Sequence, residues 1–271
     1  MASRMTREQF DLIGERMFGE RLPGRPDQGI RTISAVQNFK IGSRRVEKGW
    51  ILHYTRASVA IPTASGLFRL AGCQTPMLAA NELVLTVAAA AGQKLITIPD
   101  AISPVNYYQG GTIECWPAAG DFELHRIASS TVSNGTTVTL TLEENLINAL
   151  AVGRMVAPMP SIYYATGPMS SAGIYNGREQ AIGVPLVPVT IDNFYWAITW
   201  GDVFLSCQAA GWPEDAAACM DVFAWPDGTV AHLGAWAAGT YDGAGTSPQR
   251  VGNGLYSGDY GTGRIKLQLD P

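Results

Sequence analysis

The segment Phe194-Tyr195-Trp196-Ala197-Ile198-Thr199-Trp200-Gly201-Asp202-Val203-Phe204-Leu205-Ser206-Cys207 constrains this chain more than any other. Large residues (Phe194, Trp196, Ile198, Trp200) fall on one parity and smaller ones (Ala197, Thr199) on the other. That is the period-two pattern of a strand with one buried face. Gly201-Asp202 supplies turn residues for a return strand, so the segment predicts a hairpin. Thirty Gly and sixteen Pro in 271 residues favour many short strands joined by turns over long helices.

The same reading places strands near Arg31–Ala35, Trp50–Thr55, Leu83–Val87, Lys94–Ile98, Gly111–Trp116 and Asp121–Ile127. Ala88–Gly92 reads as a loop between strands. Asn134-Gly135 is a hairpin turn signal between Ser129–Val132 and Thr136–Leu140. Strands near Cys219–Trp225 and Thr229–Leu233 are joined by Pro226-Asp227-Gly228. The closing strand Arg264–Leu269 should turn Ile265, Leu267 and Leu269 inward and Arg264, Lys266 and Gln268 outward. Two helices are expected. One spans 6–18, with a Thr6/Gln9 capping box and Phe10, Ile13 and Met17 on one face; the other opens at Thr141-Leu142-Glu143-Glu144 and closes at Gly153. At about three turns the first is too short to stand alone and must dock on something. Residues 1–29 thus form an arm, 30–105 a β region, and 106–271 a β-sandwich or barrel-like domain.

Charge is scarce, at 15% of residues against about 25% in ordinary globular proteins. Two readings of so lightly charged a surface stand: partner subunits cover much of it, or the chain is a compact, Gly-rich monomer. Residues 1–50 hold ten of the nineteen Lys+Arg and six of the twenty-three Asp+Glu. Residues 1–50, which include the arm, are therefore net basic and the remaining body acidic, a polarity suited to docking on an acidic neighbour. Acidic residues interleave with Arg4, Arg7, Arg16, Arg21 and Arg25, so no unopposed basic stripe for nucleic acid forms. The N-terminus MASRMTREQFDLIG has charges where an export signal needs an apolar run. The longest apolar run, Leu83–Ala91, falls far short of the ~18 residues that span a bilayer. A soluble protein made in the cytoplasm is expected, with Cys73, Cys115, Cys207 and Cys219 reduced and structural.

Reactive side chains are few. His53, His125 and His232 each occupy a strand position, where structural histidines are the commoner case. No GxSxG elbow, Walker A loop or dinucleotide-binding glycine motif is present. Glu143-Glu144 is explained by helix capping. Glu214-Asp215 follows Trp212-Pro213, where an aromatic beside acids could stack a sugar, although a solvated turn is the plainer account. Trp116, Trp196, Trp200 and Trp225 lie on alternating strands and read as core. Trp212 and Trp236 sit in Ala/Gly/Pro-rich loops and read as interface anchors. No catalytic, cofactor or metal residue is assigned.

Four segments occur in an order of their own: Asn106-Tyr107-Tyr108-Gln109-Gly110-Gly111-Thr112-Ile113; Val138–Leu146; Phe194–Gly201; and Val251-Gly252 with Arg264–Leu269. With this order, residues 80–271 resemble auxiliary structural proteins of tailed-bacteriophage heads, of the cement or decoration type. The resemblance implies a non-enzymatic virion protein. Many copies would bind the capsid lattice, often around three-fold positions, with the major capsid protein and other copies of the chain, a trimer among the options, as partners. A tail, baseplate or fibre-attachment protein is the alternative, and a carbohydrate-binding or carbohydrate-active β domain using Trp212, Glu214 and Asp215 a third. The expected architecture is mainly β: a sandwich or barrel-like body of short antiparallel strands with a short N-terminal helix and arm. The expected partner contacts are Arg4, Arg7, Phe10, Ile13, Met17, Arg21 and Arg25 on the arm, with Trp212 and Trp236 on the body. The arm is expected to dock a neighbouring subunit and the body to fold without it.

Overall fold

The computed structural model describes residues 21–62, 69–73, 82–118, 120–169, 180–207, 221–225, 227–232, 249–258 and 262–269. It is mainly β, and no helix occurs among the described residues. Among the described residues sixteen strands form two antiparallel sheets. They belong to two compact units: Met1–Gln74 with Ala165–Pro271, and Thr75–Tyr164. The divisions read from the sequence do not coincide with these units, since residue 105 falls inside the second. Pairing across long sequence separations, not any change of composition, defines the units.

The first unit carries a ten-stranded sheet. Its strands are β1 (Arg44–Glu47), β2 (Trp50–Arg56), β3 (Ala71–Cys73), β10 (Thr166–Pro168), β11 (Ala181–Pro185), β12 (Phe194–Ser206), β13 (Asp221–Ala224), β14 (Val230–His232), β15 (Arg250–Gly258) and β16 (Thr262–Gln268). The order is β10-β3-β11-β12-β16-β15-β13-β14, and the β1–β2 hairpin joins it along β12. Lys48 and Gly49, both at positive φ, make the two-residue turn of that hairpin.

β12 corrects the expected hairpin. Residues 194–206 are one continuous strand that changes neighbours along its length. Phe194–Trp200 pair with β2, while Trp200–Ser206 pair with β16. Gly201 sits at the changeover with φ +118°, so its glycine supplies a kink within the strand and not a turn. The single buried face is corrected too. Phe194 to Thr199 are all buried, with both parities covered, and alternation begins only at Trp200. Trp196 packs edge-on against Phe39 and Tyr54 at centroid separations of 4.9 and 5.0 Å, forming an aromatic core. Trp196 and Trp225 are buried as expected, whereas Trp116 and Trp200 are half-buried. Arg31–Ala35 is no strand and contributes a single bridge, Ser34 to Phe194. The last strand keeps its expected faces, with Ile265 and Leu267 fully buried and Arg264 exposed.

The second unit is a six-stranded sheet in the order β4-β9-β6-β7-β8-β5. Its strands are β4 (Leu83–Val84), β5 (Leu95–Pro99), β6 (Thr112–Cys115), β7 (Glu123–Ser130), β8 (Thr137–Leu142) and β9 (Met155–Met159). The sheet curls around a core that includes Ile96, Ile98, Ile113, Ile127, Val138, Leu140, Leu142 and Val156. The Asn134-Gly135 signal holds. The Asn134 carboxamide oxygen accepts from the backbone N–H groups of Thr136 and Thr137, and Gly135 has φ +95°.

The helix expected from Thr141 to Gly153 does not form. Leu142 ends β8, and the segment beyond it pairs back on residues 85–93. Leu146 N–H donates to Gln93, Ala89 and Leu150 exchange both backbone bonds, and Gly153 N–H donates to Leu85. Leu146 and Leu150 are buried while Ile147 is exposed. Backbone bonds to a neighbouring segment have outcompeted local capping, and tertiary context overrides helix propensity.

Candidate functional site

Of the expected arm contacts, Arg4, Arg7, Phe10, Ile13 and Met17 lie outside the described residues, as do Trp212, Glu214, Asp215, Cys219 and Trp236. Arg21 and Arg25 are described and exposed. The end of the arm is tied into its own unit: Leu22 N–H donates to Asn38 O at 2.8 Å, and Gln28 is buried. The Gln28 amide oxygen accepts from Tyr54 Oη at 2.7 Å and from Asn38 Nδ2, and its Nε2 donates to Phe194 O and Thr32 O. Its backbone carbonyl accepts from Arg45 and from Trp196 Nε1. Arg45 is itself held by Asp27 and Glu47 and lies over the Trp196 ring. Gln28 is therefore part of the body's core, and removing residues 1–29 would take away the partner of buried polar groups such as Tyr54 Oη and Trp196 Nε1.

The three histidines are dispersed. Nδ1 of His53 lies 3.0 Å from Gly42 O on β2, His125 is buried on β7, and His232 lies on β14. Cys73, Cys115 and Cys207 are buried and carry no disulfide. Burial pushes the Cys115 and Cys207 thiols up to about 12, where they are poor nucleophiles. Among the described residues, no group of three His, Cys, Asp or Glu side chains could hold a metal ion, and no helix is long and apolar enough to cross a membrane.

The unexpected arrangement is on β7. Sequence alternation through Phe122-Glu123-Leu124-His125-Arg126-Ile127 would ordinarily turn the apolar parity inward. Instead Glu123 and His125 face the core beside Ile127, while Phe122 and Leu124 are each 56% exposed. The inversion is held by hydrogen bonds. His125 Nε2 donates to Glu123 Oε2 at 2.8 Å, because a carboxylate can only accept. The same carboxylate accepts from Asn148 Nδ2 at 2.7 Å and from the backbone N–H groups of Ile147 and Asn148. Burial works against the charged form, but these four hydrogen bonds outweigh it and hold the Glu123 carboxyl below the ordinary glutamate value. Glu123 thereby fastens the 146–150 segment to β7. Its only sequence signal was the i, i+2 spacing of Glu123 and His125, and the distant Asn148 that completes the cluster is invisible to local pattern.

The residues displaced outward by this inversion share a face with others. Cross-strand partners point the same way. Val84 pairs with Met155, Ala157 with Glu114, Glu114 with Leu124, and Thr112 with both Met159 and Arg126. Trp116 N–H donates to Met155 O, and its ring lies 6.2 Å from Phe122. The outer face of β4-β9-β6-β7 therefore presents Val84, Met155, Trp116, Phe122 and Leu124 with Glu114 and Arg126, and the exposed Glu143 follows β8 opposite Arg126. Val84 is 54% and Met155 39% exposed. At ordinary strand spacing the patch covers roughly 300 Å², at the lower end of the largest apolar patches on monomeric proteins, which are often functional. Such a face can bind another protein surface by apolar contact. Compared with protein-family models, curated proteins and solved structures, the chain matches none.

Proposed function

We propose that this chain is a structural protein of a tailed-bacteriophage virion that binds and reinforces the capsid without catalysing a reaction. The observation that supports this best is the inverted β7 strand. Its polar side chains are used internally to hold a loop, and its apolar ones are turned to solvent. A fold that buries Glu123 and His125 while exposing Phe122 and Leu124 accepts a cost that a protein partner would offset by covering that face. The low charge content and the scaffold of antiparallel strands suit extended contact surfaces on a lattice.

Density-gradient sedimentation of an infected-cell lysate tests the reading directly. The chain should co-migrate with heads, including empty heads without tails. Presence only in tailed particles would move it to the tail or baseplate. Finding it wholly in the soluble fraction would overturn the virion assignment and return attention to glycan binding by Trp212.

A further inference from the structure

We propose that Asn134 is a site of spontaneous covalent modification, where the backbone nitrogen of Gly135 attacks the side-chain carboxamide and deamidates it. The inference goes beyond the capsid reading and does not rest on it.

Among the described residues Asn precedes Gly twice, at Asn134-Gly135 and Asn253-Gly254. In such a pair no Cβ shields the backbone nitrogen that must close on the carboxamide. The fold treats the two pairs differently. Asn253 and Gly254 lie inside β15, between β13 and β16, where they pair with Lys266 and Ile265, and Gly254 is buried. Asn253 also donates through Nδ2 to Asp221, and its oxygen accepts from Arg250. The ladder fixes an extended backbone there, and closing a five-membered ring requires leaving it. Asn134 and Gly135 are instead exposed at the turn between β7 and β8. Asn134 N–H donates to Thr137 O, so Gly135 and Thr136 are the two residues of the tip.

The tip also favours the reaction electronically. Asn134 Oδ1 accepts from Thr137 N at 2.8 Å, Thr136 Oγ1 at 2.9 Å and Thr136 N at 3.0 Å. As Gly135 N closes on Cγ, negative charge builds on this oxygen, and donors about 2.7–3.1 Å away are what such an oxyanion requires. Gly135 N–H donates to Ser133 Oγ at 3.0 Å, and the Ser133 hydroxyl donates to Asp100 O at 2.6 Å, a series that polarises the attacking nitrogen. These bonds restrain the oxygen, yet the new bond forms at Cγ, so Oδ1 keeps its donors throughout. In the step itself Gly135 N bonds to Cγ, its proton passes to solvent hydroxide, and the Cγ–Nδ2 bond breaks with release of ammonia. Water then opens the cyclic imide. Opening at Cγ leaves an aspartate, which still accepts from all three donors and brings the first charge into residues 127–142. Opening at the main-chain carbonyl leaves an isoaspartate, whose backbone runs through Cγ and loses the turn's hydrogen bonds.

The test is peptide mapping by mass spectrometry of the purified full chain, aged at mildly alkaline pH and sampled over time. Asn134 should lose ammonia while Asn253 stays intact, and the loss should quicken as pH rises. In concentrated urea the two pairs should react at similar rates, because the fold and not the dipeptide separates them. Thr136→Val removes one donor to Oδ1 and should slow the reaction severalfold. A thermal melt checks that this exposed substitution leaves the fold intact; if it does not, the comparison of Asn134 with Asn253 in wild type decides alone. A folded chain in which Asn253 reacts as fast as Asn134 overturns the proposal. So does an Asn134 that is stable in the folded chain and reacts only in urea, which would make the turn a shield. A folded Thr136→Val variant that reacts faster than wild type also overturns it, since the donors would then restrain the carboxamide. The expected pattern stands whether or not the chain is found on heads.

Discussion

Glu123 is the residue on which the second unit's unusual strand depends, because its carboxylate is buried with four donors arranged around it. Replacing it by Gln keeps the shape but puts an amide NH2 among donors. The expected cost is about 1–3 kcal/mol. The pH dependence follows from the depressed pKa. A group titrating lower in the folded than in the unfolded state contributes stability that is fully present above its ordinary value, 4.5, and is lost as pH falls through the folded value. Chemical denaturation of wild type and Glu123→Gln should therefore show a gap at neutral pH that narrows on acidification below that value. Asp100 is likewise depressed: burial opposes it, but hydrogen bonds from Ser103, Tyr108 and the backbone of Ile102 prevail. Asp100 is intact in both proteins, so the difference between them isolates Glu123. A gap independent of pH would show that the carboxylate's charge contributes nothing.

Among the elements, β12 shows how a strong local pattern can be right about type and wrong about extent. Gly201-Asp202 reads as a turn because glycine at positive φ is what turns require. The same freedom serves a kink where a strand passes from one neighbour to the next. A Cβ on Gly201 would come within 2.5 Å of Trp50 Cδ1 and 2.9 Å of Gly49 O, at φ +118°. Gly201→Ala should therefore destabilise the first unit by about 1–3 kcal/mol, from backbone strain alone, with the clash at Trp50 adding to it. A melting temperature unchanged by the substitution would contradict this account. The legible elements share one property: their determinants are local. The closing strand shows its faces in six residues, and Asn134-Gly135 carries its turn chemistry within three. What escaped the sequence depended on distant partners. Residues 143–153 look helical until Gln93, Ala89 and Leu85 offer their backbone, and β7 looks conventional until Asn148 reaches Glu123. The outward turn of the apolar residues on β7 was missed for that reason. Phe122 and Leu124 read as core residues wherever hydrophobicity alone decides which side is in.

At the scale of the molecule, the chain leaves its first unit after β3 and re-enters at β10, and these two strands are paired. Thr166 lies opposite Cys73 and Pro168 opposite Ala71. The point of departure and the point of return are thus adjacent in one antiparallel ladder, about 5 Å apart. That is the geometry of one compact unit inserted into another, since a short connection could replace everything between. No shift in composition marks residues 74 or 164, because both units are built of the same short strands and turns, and only the pairing reveals the junction. Among the described residues the second unit contains a six-stranded sheet and a core of its own, with no strand borrowed from outside 75–164. A fragment of residues 75–164 should therefore fold alone, with a cooperative thermal transition and dispersed amide resonances. The complementary chain, with Cys73 joined to Thr166 through a few glycines, should keep the β3–β10 ladder and the Trp196 core. Its near-ultraviolet circular dichroism, to which the packed Phe39, Tyr54 and Trp196 rings contribute, is the readout. If the fragment is unfolded while the intact protein melts in a single transition, the two units form one cooperative body and the insertion is a matter of topology alone. If both pieces fold, the inserted unit carries the apolar face by itself.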